Sequence, residues 1–340
     1  MAYAAPTAGA AQGRPRSGGW SDRRVEQMLG ALSVLILVLI AGLVVYVFRE
    51  ALPSFRANGL SWFGNPAGGL TADQQLEAIF NSPAEAPLYD FGAFPILWGT
   101  FLSTVGGLIV AIVVSVLAAV FIVEFAPAPL RAVLERVVRL LAAVPSVIYG
   151  LIGILVIVPF VSETFISEDL RRSVLGVIQL EGSSLLVAVL ILAVMIIPIM
   201  VAIIVDALRS IPRAWTEGAA ALGVNRWRVA WTITVRAARP AIIAAAVLAT
   251  ARALGEAIML AMVSGSIAFS PQLIDGPRVF LLSPVSPSAA TIVRYLEGQT
   301  VPPLRHTLYA IAAVLLISAM FLSLAGWAAK QPLKKYGVRT

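Results

Sequence analysis

Six long apolar runs separated by polar segments dominate the hydrophobic pattern of this 340-residue chain. Each run is about 20 residues or longer, the length that a helix needs to cross about 30 Å of hydrocarbon. The pattern predicts an all-α polytopic membrane protein with one six-helix transmembrane domain over residues 29–328. The predicted spans are 29–48, 95–123, 140–160, 184–205, 240–268 and 306–328.

Polar segments flank this domain at both ends of the chain. Residues 1–28 are rich in Ala, Gly, Pro and Arg and are predicted to form a disordered tail. They do not resemble a cleaved signal peptide, because the apolar run that follows their arginines is long enough to span a membrane. Residues 329–340 are predicted to form a second, basic tail.

Composition agrees with a membrane protein and excludes several kinds of site. The chain is 59% hydrophobic and only 13% charged, against about 25% charged residues in soluble domains. Its net charge of +7 is assigned to basic loops at the membrane rather than to nucleic-acid binding. Without cysteine, and with His306 as the single histidine, the chain is predicted to hold no metal site.

The distribution of basic residues predicts the orientation in the membrane. Lys and Arg number 17 in the two tails, in the short basic loop 124–139 and in the long loop 206–239, and only 7 in the alternate loops. The more basic side faces the cytoplasm, so both termini and the loop 206–239 are predicted to be cytoplasmic. The three lysines all lie in the C-terminal tail, which excludes a phosphate-binding loop of the G-x-x-x-x-G-K-[ST] type. We therefore expect no cofactor bound by this chain.

The loop 206–239 contains signals for two short helices. Pro212 suits the first turn of a helix, and Gly223 suits a left-handed C-cap. Asn225 can cap a second helix, on which Trp227 and Trp231 share a face. Gly218, Ala219, Ala220 and Ala221 are small, so a partner can approach the backbone of the first helix closely. The alternative is a solvated connector with arginines on lipid headgroups.

This loop resembles the coupling motif of permease subunits of binding-protein-dependent ABC importers. Glu217, Ala219 and Gly223 hold the motif positions, and Ile233 follows ten residues later. Where that family usually continues Ile-x-Leu-Pro, this chain has Ile-Thr-Val-Arg. The resemblance implies that the first helix docks on a cytoplasmic ATPase, which uses the ATP.

The fifth predicted span carries two charges, Arg252 and Glu256, at helical spacing. At mid-membrane two charges cost about 5–7 kcal/mol before they pair, which the apolar residues of the span roughly offset. The pair is expected to face the bundle interior or water. It either fixes helix packing or marks a substrate path, where the planar fork of Arg252 suits a phosphate-like anion.

A second resemblance is to the C-type permease of the phosphate ABC importer. Two motifs, Arg252-Ala253-Leu254-Gly255-Glu256 and Ala143-Val144-Pro145-Ser146-Val147-Ile148-Tyr149-Gly150, are similar to motifs of the permeases of that importer. The segments Leu29–Phe63, Tyr89–Phe125 and Leu140–Phe160 resemble the C-type permease more than the A-type. It implies a type I importer fold in the bacterial inner membrane, a heterodimer with the A-type permease, an ATPase dimer and an extracytoplasmic phosphate-binding protein. Pro145 and Ser146, within the third span, are either a kink or a gating point.

Three alternatives remain at this stage. The chain could be a permease for another oxyanion or solute, or the A-type partner. It could be an ion-driven secondary transporter, although the inverted repeats and unwound span typical of that class are not apparent in the sequence. A membrane enzyme is disfavoured, because the chain lacks the Cys, second His or carboxylate cluster that such a site usually needs.

Overall fold

The computed structural model describes residues 20–83, 85–174, 178–272, 274 and 276–330. Within these residues the chain is helical, with no β-strand. The helices are α1 Trp20–Asn58, α2 Ala72–Phe80, α3 Phe94–Val120, α4 Ala128–Ala142, α5 Ser146–Ile152, α6 Val158–Phe165, α7 Glu168–Val174, α8 Leu185–Arg209, α9 Arg213–Ala221, α10 Arg226–Val229, α11 Val235–Ala237, α12 Arg239–Leu254, α13 Ile258–Val263, α14 Pro277–Leu282, α15 Ser288–Arg294 and α16 Pro302–Lys330.

Three of these helices continue into a wider, π-helical turn. The turns cover Phe121–Phe125 after α3, Gly153–Ile157 after α5 and Ala230–Thr234 after α10. In each case the backbone bends or changes register without leaving a helical conformation.

Five helical stretches in the described part of the chain are long and apolar enough to cross a membrane. A sixth is obtained if Arg226–Ala237 and Arg239–Leu254, which meet at an angle of 66°, count as one broken span. The prediction of an all-α polytopic membrane protein is confirmed.

Several predicted boundaries are corrected. Helix α1 already includes residues 20–28, so the prediction of a disordered tail is wrong there, and residues 1–19 lie outside the described residues. Once a helix is nucleated, each further residue is added at little cost, which accounts for the extension of the first span. At the other end α16 reaches Lys330, and the rest of the predicted basic tail lies outside the described residues.

The third and fifth predicted spans are not single helices. The third, 140–160, begins within α4, is interrupted at Ala143–Pro145 and resumes as α5. Pro145 cannot donate to the preceding turn, so the helix restarts with Pro145 as its N-cap. The fifth, 240–268, ends as α12 at Leu254 and restarts as α13 at Ile258, where Gly255 weakens the helix.

The described part of the chain divides into two compact units, of which the first ends at Val47 and the second begins at Phe48. In the larger unit, α3 packs along α8, the most deeply buried of the candidate spans. Gly106 and Gly107 make this approach possible, since a Cβ atom at Gly106 would lie 2.8 Å from the side chain of Val189 and one at Gly107 would lie 3.1 Å from that of Leu192. Small residues in a membrane helix allow this kind of close packing.

A buried polar cluster connects α2 to the segment that follows α13 and to α15. Asp73 accepts a hydrogen bond from the Ala268 N–H and forms an ion pair with Arg294 at 3.2 Å. Burial raises the pKa of the Asp73 carboxyl, and the Ala268 N–H and Arg294 oppose that rise. Burial, with the negative charge of Asp73, raises the pKa of Tyr295 to about 12. The Ala268 N–H and Arg294 therefore both favour the charged form of this carboxyl, which burial disfavours.

Replacing Arg294 with methionine should destabilise the protein most at high pH. A carboxyl whose pKa is raised in the folded protein lowers the stability of the folded state above that pKa, because there it must be charged while buried. Loss of the Arg294 cation raises the folded-state pKa of Asp73 further and so increases this penalty at high pH. The midpoint of thermal unfolding in detergent should fall by several degrees at about pH 8 and by less at about pH 4. Arg278→Met is the matched control, because Arg278 is exposed and forms no ion pair among the described residues. Equal losses at both pH values would contradict the role of Arg294.

Candidate functional site

The loop between α8 and α12 folds as its local signals predict. Helix α9 begins after Pro212 and ends before Gly223, whose φ of 74° lies in the left-handed region. The Val224 N–H donates to the Ala219 carbonyl and closes the cap. The side chain of Asn225 accepts from the Trp227 N–H at 2.9 Å and starts α10. The predicted helix, sharp turn and second helix are confirmed.

Helix α9 presents an exposed face to a partner. All its residues are described, and none of them is buried. Trp215, Gly218 and Leu222 lie on one side of α9, because they are spaced by three and four residues. Leu222 is 84% exposed. Nothing approaches within 4 Å of a Cβ atom built on Gly218 or Gly223. This surface, Trp215–Gly218–Leu222 with the Gly223 turn, is called here the docking face of α9.

Glu217 lies on another side of α9 from the docking face. It lines a cavity of about 470 Å³, whose polar lining also includes Glu124, Thr234 and the arginines Arg131, Arg209 and Arg213. The structure therefore separates the predicted motif residues, since Glu217 lines this cavity, whereas Ala219 and Gly223 do not line it.

The second half of the loop packs against the end of α3. The rings of Trp227 and Trp231 lie 5.5 Å apart, as their shared face predicts. Trp227 also contacts Phe125, and the guanidinium of Arg226 lies 5.3 Å from the centre of the Phe125 ring. These aromatic contacts connect α10 and the π-helical turn after it to the end of α3.

Arg252 and Glu256 lie on either side of the break between α12 and α13. Their side chains form an ion pair of 3.8 Å between Nε and Oε1, as their spacing predicts. The expectation of one continuous helix is wrong, since the Gly255 and Glu256 N–H groups donate three residues back in a tightened last turn. The side chain of Glu256 is 11% exposed and that of Arg252 is 39% exposed. A buried carboxylate therefore holds an arginine that remains accessible.

The Pro145–Ser146 elbow lies on a helix that packs against α13. A Cβ atom on Gly150 of α5 would lie 3.1 Å from the Met259 Cα, and one on Gly153 would lie 2.6 Å from the Val263 side chain. The Tyr149 hydroxyl donates to the Leu141 carbonyl at 3.0 Å and bridges the elbow. The elbow and the α12–α13 break therefore belong to one tightly packed pair of interrupted helices.

Comparison with known proteins identifies the family. The family model of the "Binding-protein-dependent transport system inner membrane component" matches residues 111–329, which include α9, the elbow and the Arg252–Glu256 pair. The chain belongs to this family. It is an ABC transporter permease.

Curated relatives and solved structures agree with this family. The permease is 31% identical over 296 residues to "Phosphate transport system permease protein PstC 1" of Mycobacterium tuberculosis, covering 83% of each chain. It is 31% identical over 256 residues to the "Probable ABC transporter permease protein YqgH" of Bacillus subtilis, covering 74% of this chain and 75% of the relative. A bacterial alginate ABC transporter in complex with a periplasmic protein shares the fold, with a TM-score of 0.57, 16% identity and coverage of 94% and 99%.

Two ion pairs at the start of the loop 206–239 were not predicted from the sequence. Glu135 of α4 pairs with Arg209, and Arg139 pairs with Asp206 at 3.6 Å, both at the end of α8. The expectation of a short basic loop over 124–139 is wrong, because most of this segment is the amphipathic helix α4. The spacing of Arg131, Glu135 and Arg139, four residues apart, is the signal that could have revealed one charged helix face.

Proposed function

We propose that this permease is the C-type subunit of an ATP-driven importer of inorganic phosphate in the bacterial inner membrane. Its partners would be a homologous A-type permease, a cytoplasmic ATPase dimer and an extracytoplasmic phosphate-binding protein. The relatives named for phosphate transport, which match across most of the chain, support the substrate. The chain itself supplies the path and the coupling surface, and the ATPase partner supplies ATP hydrolysis.

The observation that supports this function most directly is the Arg252–Glu256 pair. A partly exposed guanidinium offers bidentate hydrogen bonds to a phosphate oxyanion and stays charged at every physiological pH. The buried Glu256 orients it, and also lowers the net positive charge that a passing phosphate meets. Binding is then favourable enough for entry and weak enough for release.

The proposed mechanism couples this site to the docking face of α9. ATP-driven closure of the ATPase dimer moves α9, and the packed aromatic side chains of α10 pass that movement to the spans. Gly223 acts at this coupling surface and Ala219 lies on the same short helix, whereas Glu217 contributes from the side of α9 that lines the cavity. Pro145 and Ser146 form the gating elbow, which changes angle as the path opens from the inside to the outside.

Phosphate uptake in cells that lack their own phosphate importers tests this function. Expression of the permease with its partner subunits should give uptake of radiolabelled phosphate that resists a large excess of sulfate. Uptake should stop on ATP depletion and survive dissipation of the proton gradient. The opposite dependence would favour an ion-driven secondary transporter, and competition by sulfate would favour a permease for another oxyanion.

A further inference from the structure

Helix α4 has three sides with different surroundings, and its apolar third side has no contact that would account for it within the described residues. Leu134 and Val138 pack against the core, and Glu135 and Arg139 pair with the end of α8. A third side is apolar but exposed. It consists of Leu130, Val133, Val137, Leu140 and Leu141, called here the α4 stripe.

The ion pairs of α4 indicate the depth of this stripe in the membrane. Asp206 and Arg209 are the first charges after the long apolar run of α8, so they mark where that span leaves the hydrocarbon. Since Glu135 and Arg139 pair with them, the middle of α4 lies at the same level. The α4 stripe is therefore at the boundary between headgroups and acyl chains.

Charge beside the stripe indicates what covers it. At about 100° per residue, Arg136 lies at one edge of the stripe, and it forms no ion pair among the described residues. The Arg139 side chain is 65% exposed, although it is paired. An apolar stripe edged by arginines is the pattern of an interfacial helix, which buries its apolar face in the bilayer and places cations on anionic headgroups.

We infer that the α4 stripe binds the cytoplasmic leaflet of the membrane, with Arg136 on the phosphate of an anionic phospholipid. Helix α4 leads directly into the Pro145–Ser146 elbow, and its ion pairs hold α8 just before the coupling loop. A lipid contact at α4 therefore acts on a helix that joins the coupling loop to the elbow. The inference depends on membrane topology and is independent of the transported substrate.

The natural absence of cysteine makes a direct test possible. Single substitutions Val133→Cys, Val137→Cys and Leu140→Cys are spin-labelled in the full chain, co-expressed with its partner subunits. The samples are vesicles of roughly three parts phosphatidylethanolamine to one part phosphatidylglycerol, an anionic surface of the required kind. Ala132→Cys, on the charged side of α4, is the matched control.

Oxygen, which concentrates in acyl chains, should increase the relaxation rate of the spin labels on the stripe more than a water-soluble nickel chelate does. For the label at position 132 the nickel chelate should have the larger effect. Stripe labels as accessible to nickel as the Ala132 label would overturn the inference. Labels shielded from both reagents would also overturn it, because another protein chain would then cover the stripe.

Headgroup preference is measured separately with headgroup-labelled lipids. A fluorophore at Val137→Cys should be quenched about fivefold more by labelled phosphatidylglycerol than by labelled phosphatidylcholine at equal fractions. Arg136→Gln should remove most of that preference, whereas Arg213→Gln on α9 should leave it unchanged. Equal quenching by the two lipids with Arg136 intact would overturn the role of Arg136.

Discussion

Arg252→Gln should reduce phosphate uptake about 100-fold or more while the permease still assembles with its partners. A hydrogen bond to a charged group contributes about 1.5–3 kcal/mol, and a guanidinium can offer phosphate two of them. The loss of two such bonds corresponds to at least that factor. Uptake of radiolabelled phosphate, normalised to the amount of complex in the membrane, measures the effect.

Two further variants separate charge from geometry at the same position. Arg252→Lys keeps a cation but loses the planar fork, so uptake should fall less than with glutamine. Arg278→Gln removes an exposed arginine that forms no ion pair among the described residues and should leave uptake unchanged. Normal uptake by Arg252→Gln would remove Arg252 from the phosphate path and favour a packing role for the ion pair.

Gly223→Asp should abolish association with the ATPase while leaving the permease folded. The position has φ of 74° and open space where a Cβ atom would lie, so within this chain the substitution costs only about 1–2 kcal/mol of backbone strain. At the docking face it adds both bulk and a charge that the partner would have to desolvate. Affinity purification of the solubilised permease, probed for a bound ATPase subunit, measures the loss.

Controls distinguish lost docking from backbone strain. Gly59→Asp introduces an aspartate at φ of 56°, also with open space, on the opposite side of the membrane by the predicted topology, and should retain the ATPase. Gly218→Leu adds bulk to α9 without positive φ and should weaken association. If the ATPase stays bound to Gly223→Asp, the docking face of α9 is assigned wrongly.

Sequence predicts the features of this permease that depend on local chemistry. The spans are visible because about 20 apolar residues suffice to cross a bilayer. The two short helices of the loop 206–239 are predictable because Pro212, Gly223 and Asn225 each have a specific preference at a helix end. The Arg252–Glu256 ion pair is predicted by spacing alone, and it forms even though the helix does not continue through it.

Features that depend on packing between distant segments are not predictable in this way. The break after Leu254 includes a glycine, but glycines also occur inside intact helices such as α3. Helix α4 is hard to recognise in the sequence because its arginines resemble those of any cytoplasmic loop, and only their pairing with α8 reveals its orientation. The position of Glu217 beside a cavity depends on how α9 folds back against the ends of α3 and α8.

The π-helical turns at Phe121–Phe125, Gly153–Ile157 and Ala230–Thr234 have a consequence for chimeric permeases. Each turn accommodates one residue more than an α-helical turn. Deleting one residue there would restore a regular α-helical turn and keep the residues beyond it close to their present phase, whereas the same deletion in a regular α-helix would rotate everything beyond it by about 100°. Single-residue gaps within these turns, in alignments with related permeases, should therefore be read as exchanges between a π-helical and an α-helical turn rather than as changes of helix phase.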